Sequence, residues 1–228
     1  MGESIEKLTH IEHVLKRPDS YLGPVDTSSE SYWLFNKTTE KFQKKNISYS
    51  PALLKIFDEI LVNSIDRNSL HPKSVTNISV SVDKETGTIT IENNGPLGGI
   101  GVKMHEKEGL WNPELTFGHL LTSTNYDDTQ KRIVGGRNGY GAKLTNIYSS
   151  EFSIIIKDHE AGKMYTQKWS NNMTTCHPPK LTKHSGSTSS VSITFVPDWK
   201  RFGMKQMDVN IYKIFVQSSI ADKIYSEQ

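Results

Sequence analysis

The sequence predicts an α+β fold, a two-layer sandwich in which helices cover one face of a mostly antiparallel sheet. Three observations point that way. Helix-like and strand-like periodicities both occur along the 228 residues. The strand-like runs follow one another as hairpins rather than alternating with crossover helices. One long apolar segment, 51–68, has the length and composition of a buried helix rather than a strand.

The elements follow in order. Residues 4–17 carry Ile5, Leu8, Ile11, Val14 and Leu15 at helical spacing, and Arg17-Pro18-Asp19 ends the pattern with a turn signal. Residues 25–50 are polar with scattered aromatics and read as a long loop. Pro51 opens the long helix, because the N–H it lacks would find no partner in a first turn. Asn77–Val82 and 88–92 are β-branched and alternating, and the polar turn Asp83-Lys-Glu-Thr-Gly87 joins them as a hairpin. A glycine-rich stretch follows at 93–101. Residues 113–122 read as a short helix, 126–139 as a loop and 140–148 as a helix. Segments 152–156, 163–169 and 191–196 read as strands, and 205–222 as a C-terminal helix.

Composition narrows the class. Hydrophobic residues at 35% and charged residues at 23% suit a globular chain. No apolar run approaches the roughly 20 residues that span a bilayer. The N-terminus lacks the apolar segment of a secretory signal. A single cysteine, Cys176, can build neither an intrachain disulfide nor a cysteine-based metal site. Net charge of +2 is too small to argue for nucleic acid by itself, and the basic run at 41–45 reads as a solvated face.

On the long helix, Glu59, Asn63 and Asp66 fall at i, i+4 and i+7 and so share one face. Polar groups on a buried stripe are costly unless they have partners or line a cavity. In a cleft, Glu59 could take a proton from an attacking water. The Asn63 amide oxygen is a hard ligand suited to Mg²⁺, and Asp66 could accept from a ligand or orient a water. A polar edge facing solvent, with Lys55 and Asp58 as neighbours, is the alternative.

Gly135-Gly-Arg-Asn-Gly-Tyr-Gly-Ala-Lys143 packs four glycines into seven residues and leads into a helix. Such a loop can turn backbone N–H groups around an anion, and Arg137 and Lys143 add positive charge. It is not a P-loop, since Leu144 follows Lys143 where Ser or Thr is required. A tight turn between elements is the alternative. Asn93-Asn-Gly-Pro-Leu-Gly-Gly-Ile-Gly101 directly follows a strand. Asn93 there could read a base edge, or the stretch could be a strand-ending loop. Ser123, Thr124 and Asn125 could bond ribose or phosphate, or cap a loop.

Taken in this order, these segments resemble the GHKL superfamily of Bergerat-fold ATPases. The likeness is greatest to the N-terminal ATPase domain of type IIA DNA topoisomerases of the eukaryotic or large-DNA-virus kind. Ile11-Glu-His-Val-Leu-Lys-Arg-Pro-Asp-Ser-Tyr-Leu-Gly23, Ile56-Phe-Asp-Glu-Ile-Leu-Val-Asn63, Leu120-Leu-Thr-Ser-Thr-Asn-Tyr-Asp-Asp128, 135–149 and Ile193-Thr-Phe-Val-Pro-Asp198 carry it, across nearly the whole chain. The resemblance implies one ATPase domain over 1–228, with 1–24 as an N-terminal extension and 25–228 as the Bergerat core. Glu59 would be the general base and Asn63 the Mg²⁺ ligand. Asn93 would contact adenine and Phe117 would pack near the base, with Thr194 the strand threonine close by. Ser123, Thr124 and Asn125 would meet ribose and phosphate. Arg137, Asn138, Gly139, Tyr140, Gly141, Ala142 and Lys143 would form the phosphate lid.

The chain departs from the family's pattern in two places. The adenine stretch, Asn93 to Val102, is two residues longer than usual, with Gly101 where proline is common. Ile5 stands where many members carry a tyrosine that reaches a partner's nucleotide. The chain also ends at Gln228, just past the core, so the transducer and DNA-cleavage regions are expected to be absent and turnover by these residues alone to be weak. ATP and Mg²⁺ are the implied ligands. The implied partners are a second copy in the full-length protein and DNA through the rest of the parent enzyme, with no membrane. The implied location is the nucleus, or the host nucleus or cytoplasm for a viral protein. A non-catalytic nucleotide-binding or dimerisation module, or a GHKL chaperone-like ATPase, stays open beside the topoisomerase reading.

Overall fold

A computed structural model describes residues 5–36, 39–70, 73–96, 99–122 and 139–226. The short helix α1 (His10–Lys16) starts at Thr9, whose side chain and that of Glu12 cap each other's backbone N–H groups. The helix expected over 4–17 is therefore shorter at its start, and Ile5 lies fully exposed outside it. The capping pattern Thr9-x-x-Glu12 was the signal for the true start.

Residues 25–50 are not a loop. They form a hairpin of β1 (Ser28–Asn36) and β2 (Lys41–Tyr49). Leu34, Ile47 and Tyr49 turn inward and are buried, while their neighbours Trp33, Phe35 and Phe42 stand outward and exposed. The inward residues are too few and too widely spaced for the alternation to show through so many polar side chains.

Helix α2 (Pro51–Leu70) is the central helix. Ala52, Leu53, Ile56, Phe57, Ile60 and Leu61 recur at the i, i+3, i+4 spacing of one helical face and are buried. The helix is not buried all round, however. Lys55, Val62 and Asn63 are exposed, and Glu59 and Asp66 lie half-buried at the margin.

The main sheet runs β3-β4-β9-β5-β6-β7, with β8 on β6, and the pairs are antiparallel. Strands β3 (Asn77–Val82) and β4 (Ile89–Gly95) form the expected hairpin. Strands β5 (Ser149–Asp158), β6 (Lys163–Ser170) and β9 (Ser189–Pro197) contain the three expected strands. Two short strands went unread, β7 (Thr175–Cys176) and β8 (Lys180–Lys183). One sheet face carries Ile89, Ile91, Ile193, Phe195, Phe152 and Ile154, all buried under the helices. The other carries Thr90, Glu92, Ser153, Thr166 and Thr194, which is the inside-outside alternation of a sheet covered on one side.

Helices α3 (Asn112–Gly118), α4 (Gly141–Ile147) and α5 (Val209–Ser226) complete the helical layer. The α5 ring of Phe215 stacks on Phe57 of α2, with centroids 4.4 Å apart and planes 14° from parallel. Thr145 of α4 donates its hydroxyl to the Ile56 carbonyl of α2 at 2.8 Å. Asn146 donates to the Phe117 carbonyl of α3 at 3.0 Å. Among the described residues, no helix is long and apolar enough to cross a membrane.

Candidate functional site

Two neighbours pack against the polar margin of α2 and make it a candidate site. The first is α4. Gly141, its first residue, lies so close to Glu59 that a Cβ there would run into the carboxylate. The missing side chain lets α4 approach. On the other side Lys55, one turn back, reaches the same carboxylate at 2.5 Å. Both groups are partly exposed, so the pair orients Glu59 more than it stabilises the helix.

The second neighbour is β4. Asn93 belongs to this strand, not to the loop after it, and its side chain is buried. Ser64 of α2 donates its hydroxyl to Asn93 Oδ1 at 3.2 Å. Ser64 lies within the helix but off the Glu59–Asn63–Asp66 stripe, and its place on the apolar side hid its role in the sequence. Gly95 follows at the strand end, where a Cβ would strike the backbone of Ser74 and Val75. Glycine lets the strand end pass against the chain that follows α2.

Charge at the margin is uneven. Asp66 holds its proton more tightly than an ordinary aspartate, first because it is partly buried and second because the Glu59 charge lies on the same stripe. Lys143 is nearly inaccessible, and burial pushes its amine down to about 8. It donates to the carbonyls of Thr122 and Gly139, each at 2.6 Å. This one amine thus brings Thr122, after α3, and Gly139, before α4, to the same point.

No family model matches the chain, but individual proteins do. DNA topoisomerase 2 of Saccharomyces cerevisiae is 47% identical over 210 residues, covering 92% of this chain and 14% of that protein. DNA topoisomerase 2 of Pisum sativum is 43% identical over 209 residues, with the same two coverages. The solved ATPase region of Saccharomyces cerevisiae topoisomerase II superposes with a TM-score of 0.89 at 46% identity, covering 93% of this chain and 56% of that one. The chain belongs to the family of type II DNA topoisomerase ATPase regions.

The solved ATPase and transducer domains of DNA topoisomerase II from Balamuthia mandrillaris give a TM-score of 0.88 at 42% identity, covering 93% of this chain and 55% of that one. This topoisomerase-type domain thus spans little more than half of the solved ATPase regions, and 14% of the length of the yeast protein.

Within this ATPase-region fold, the expected site residues divide into four groups. Glu59, Asn63, Asp66, Asn93, Gly141, Ala142 and Lys143 lie on α2, β4 and the start of α4, with Gly139 and Tyr140 just before α4. Tyr140 meets Tyr21 edge-on at 6.1 Å, which links the start of α4 to the N-terminal segment. Phe117 is buried on α3 with its ring 6.1 Å from that of Phe152, as part of the core.

Thr194 lies elsewhere. It pairs with Thr90, and their hydroxyls meet at 2.9 Å on the sheet face turned away from α2. Neighbours across an antiparallel pair share a face, so the β9 residue facing Asn93 is Val191. Thr194, expected close to the base from the resemblance, therefore stands on the opposite sheet face from Asn93. Ser123, Thr124, Asn125, Arg137 and Asn138 lie outside the described residues.

Proposed function

We propose that this chain binds Mg-ATP along the margin of α2 and hydrolyses it, as the ATPase gate of a longer type II DNA topoisomerase. The Glu59 carboxylate against Gly141, on the helix that also holds Asn93 through Ser64, carries this reading. A proton acceptor, Glu59, and a hard oxygen donor, Asn63, share one face of α2, and Ser64 on its apolar side holds the Asn93 amide that this reading assigns to the base. The family membership and the fold support it. In the parent enzyme, nucleotide binding would bring two copies together and couple hydrolysis to DNA strand passage, and the protein would act in the nucleus.

The donor set suits a magnesium ion. Asn63 presents an exposed amide oxygen one turn from the Glu59 carboxylate, and oxygen donors of this kind are what Mg²⁺ takes. Asn63 would hold the ion, which when bound neutralises charge on the phosphates. The chain's own groups do the rest. Glu59 accepts the proton of a water as its oxygen bonds to the terminal phosphorus and the bridging oxygen leaves. Asp66 bonds the ligand or a water at the far end of the stripe. Lys143 supplies positive charge to the phosphates in exchange for the carbonyls it now holds. Asn93 binds the base. Ser123, Thr124, Asn125, Arg137 and Asn138 complete the ribose and phosphate contacts by the family resemblance.

Glu59→Ala separates binding from chemistry. The variant is expected to bind ATP within a few-fold of the parent chain and to lose hydrolysis by about 100-fold or more, the usual contribution of a positioned base. Phosphate release at the parental rate would remove Glu59 from the role. Nucleotide binding without phosphate release by the parent chain itself would favour a purely binding module.

A further inference from the structure

A carboxylate that the chemistry above leaves unused lies at the base end of the site. Asp158 closes β5 and is buried. Its Oδ2 accepts the Val102 N–H at 2.7 Å, and its Oδ1 accepts the Ala161 N–H at 3.0 Å. Val102 is fully buried and ends the glycine-rich stretch that starts at Asn93. The near end of the stretch is fixed by strand pairing, with Asn93, Asn94 and Gly95 opposite Val191, Ser190 and Ser189 of β9. Between the ends, Gly99 lies against the β5–β9 edge. A Cβ there would sit 2.9 Å from Ser189 Cβ and 3.4 Å from the Lys157 carbonyl oxygen.

Before Val102, Ile100 packs partly buried against the core and Gly99 lies against β9. At Val102 the hold is one carboxylate, each of whose oxygens takes one backbone N–H. Bonds of this charge-assisted kind are stronger than neutral ones, and more so when buried.

We propose that Asp158 is a positioning residue for base recognition. By holding Val102 it sets where residues 99–102 lie against Ser189, the β9 partner of Gly95, and with it the fit of adenine against Asn93. The inference rests on the nucleotide reading of the site.

The test titrates the chain and its Asp158→Ala and Asp158→Asn variants with ATP, GTP and inorganic tripolyphosphate in Mg²⁺. Asp158→Ala is expected to weaken ATP by about tenfold, as the loss of a charged hydrogen bond does. It should also shrink the preference for ATP over GTP and leave tripolyphosphate affinity unchanged. Asp158→Asn keeps one acceptor oxygen and should fall between. Unchanged ATP affinity and ATP-to-GTP ratio in Asp158→Ala, or equal losses for ATP and tripolyphosphate, would overturn the proposal.

If Asp158→Ala does not fold, hydrogen exchange on the parent chain decides. The Val102 amide should exchange slowly, and slower still with ATP but not with tripolyphosphate. A Val102 amide indifferent to ATP overturns the proposal. A parent chain that binds no ATP would instead sink the reading of the site itself.

Discussion

Gly141 shows how much one absent methyl group can decide. A Cβ there meets the Glu59 carboxylate, the movable end of a half-exposed side chain, so an alanine can be housed if the carboxylate turns aside. Gly141→Ala should therefore leave the melting temperature within a few degrees of the parent while lowering ATP turnover at least about tenfold, since small misplacements of a reacting group are costly. Turnover at the parental rate would show that the Glu59 position is not set by Gly141. Lys143 makes a second residue-scale case. Burial lowers its pKa from 10.5 to about 8. The unfolded chain thus keeps this proton to higher pH than the folded one, and the cost of the buried charge, full below pH 8, is relieved between about 8 and 10.5. The same deprotonation removes the charge that phosphates need. ATP affinity is expected to fall as pH rises through about 8, and Lys143→Met should lose both most of the affinity and this pH dependence. A dissociation constant that stays flat from about pH 7 to 9.5 in the parent chain would contradict it.

The central element is α2, which joins the site to the core. Its inward stripe of Ile56, Phe57, Ile60 and Leu61 rests on the sheet and on α5, and the same backbone carries Glu59 and Asn63 at its edge. Phe57 is fully buried and stacked on Phe215. Phe57→Ala should cost about 3–5 kcal/mol in urea unfolding, the usual range for a buried aromatic. A loss under about 1 kcal/mol would mean that the α2–α5 contact closes over the gap. This helix was readable in the sequence because its proline start, length and apolar spacing agreed. The β1–β2 hairpin was not, because only Leu34, Ile47 and Tyr49 turn inward among exposed lysines and aromatics. Strands β7 and β8 escaped as well, being two and four residues long and largely exposed.

For the whole molecule, the α+β class and one-sided helical layer followed from the order of periodicities, and the structure and the relatives agree on them. The candidate site was legible in the sequence only as geometry, where spacing puts Glu59, Asn63 and Asp66 on one face of the helix that the structure shows. It was not legible where tertiary pairing decides the face. Thr194 and Val191 differ by three residues, and only the β4–β9 register shows which one looks toward Asn93. Nor could spacing reveal that Asp158, more than 50 residues from Val102 in sequence, would hold its amide. The central claim is that ATP lies along the margin of α2 between β4 and α4. A crystal structure of the chain with a non-hydrolysable ATP analogue and Mg²⁺ tests it most directly. The base is expected against Asn93, the metal on the Asn63 amide oxygen and the phosphates beside Lys143. Nucleotide bound away from α2, or a metal with no contact to Asn63, would contradict it.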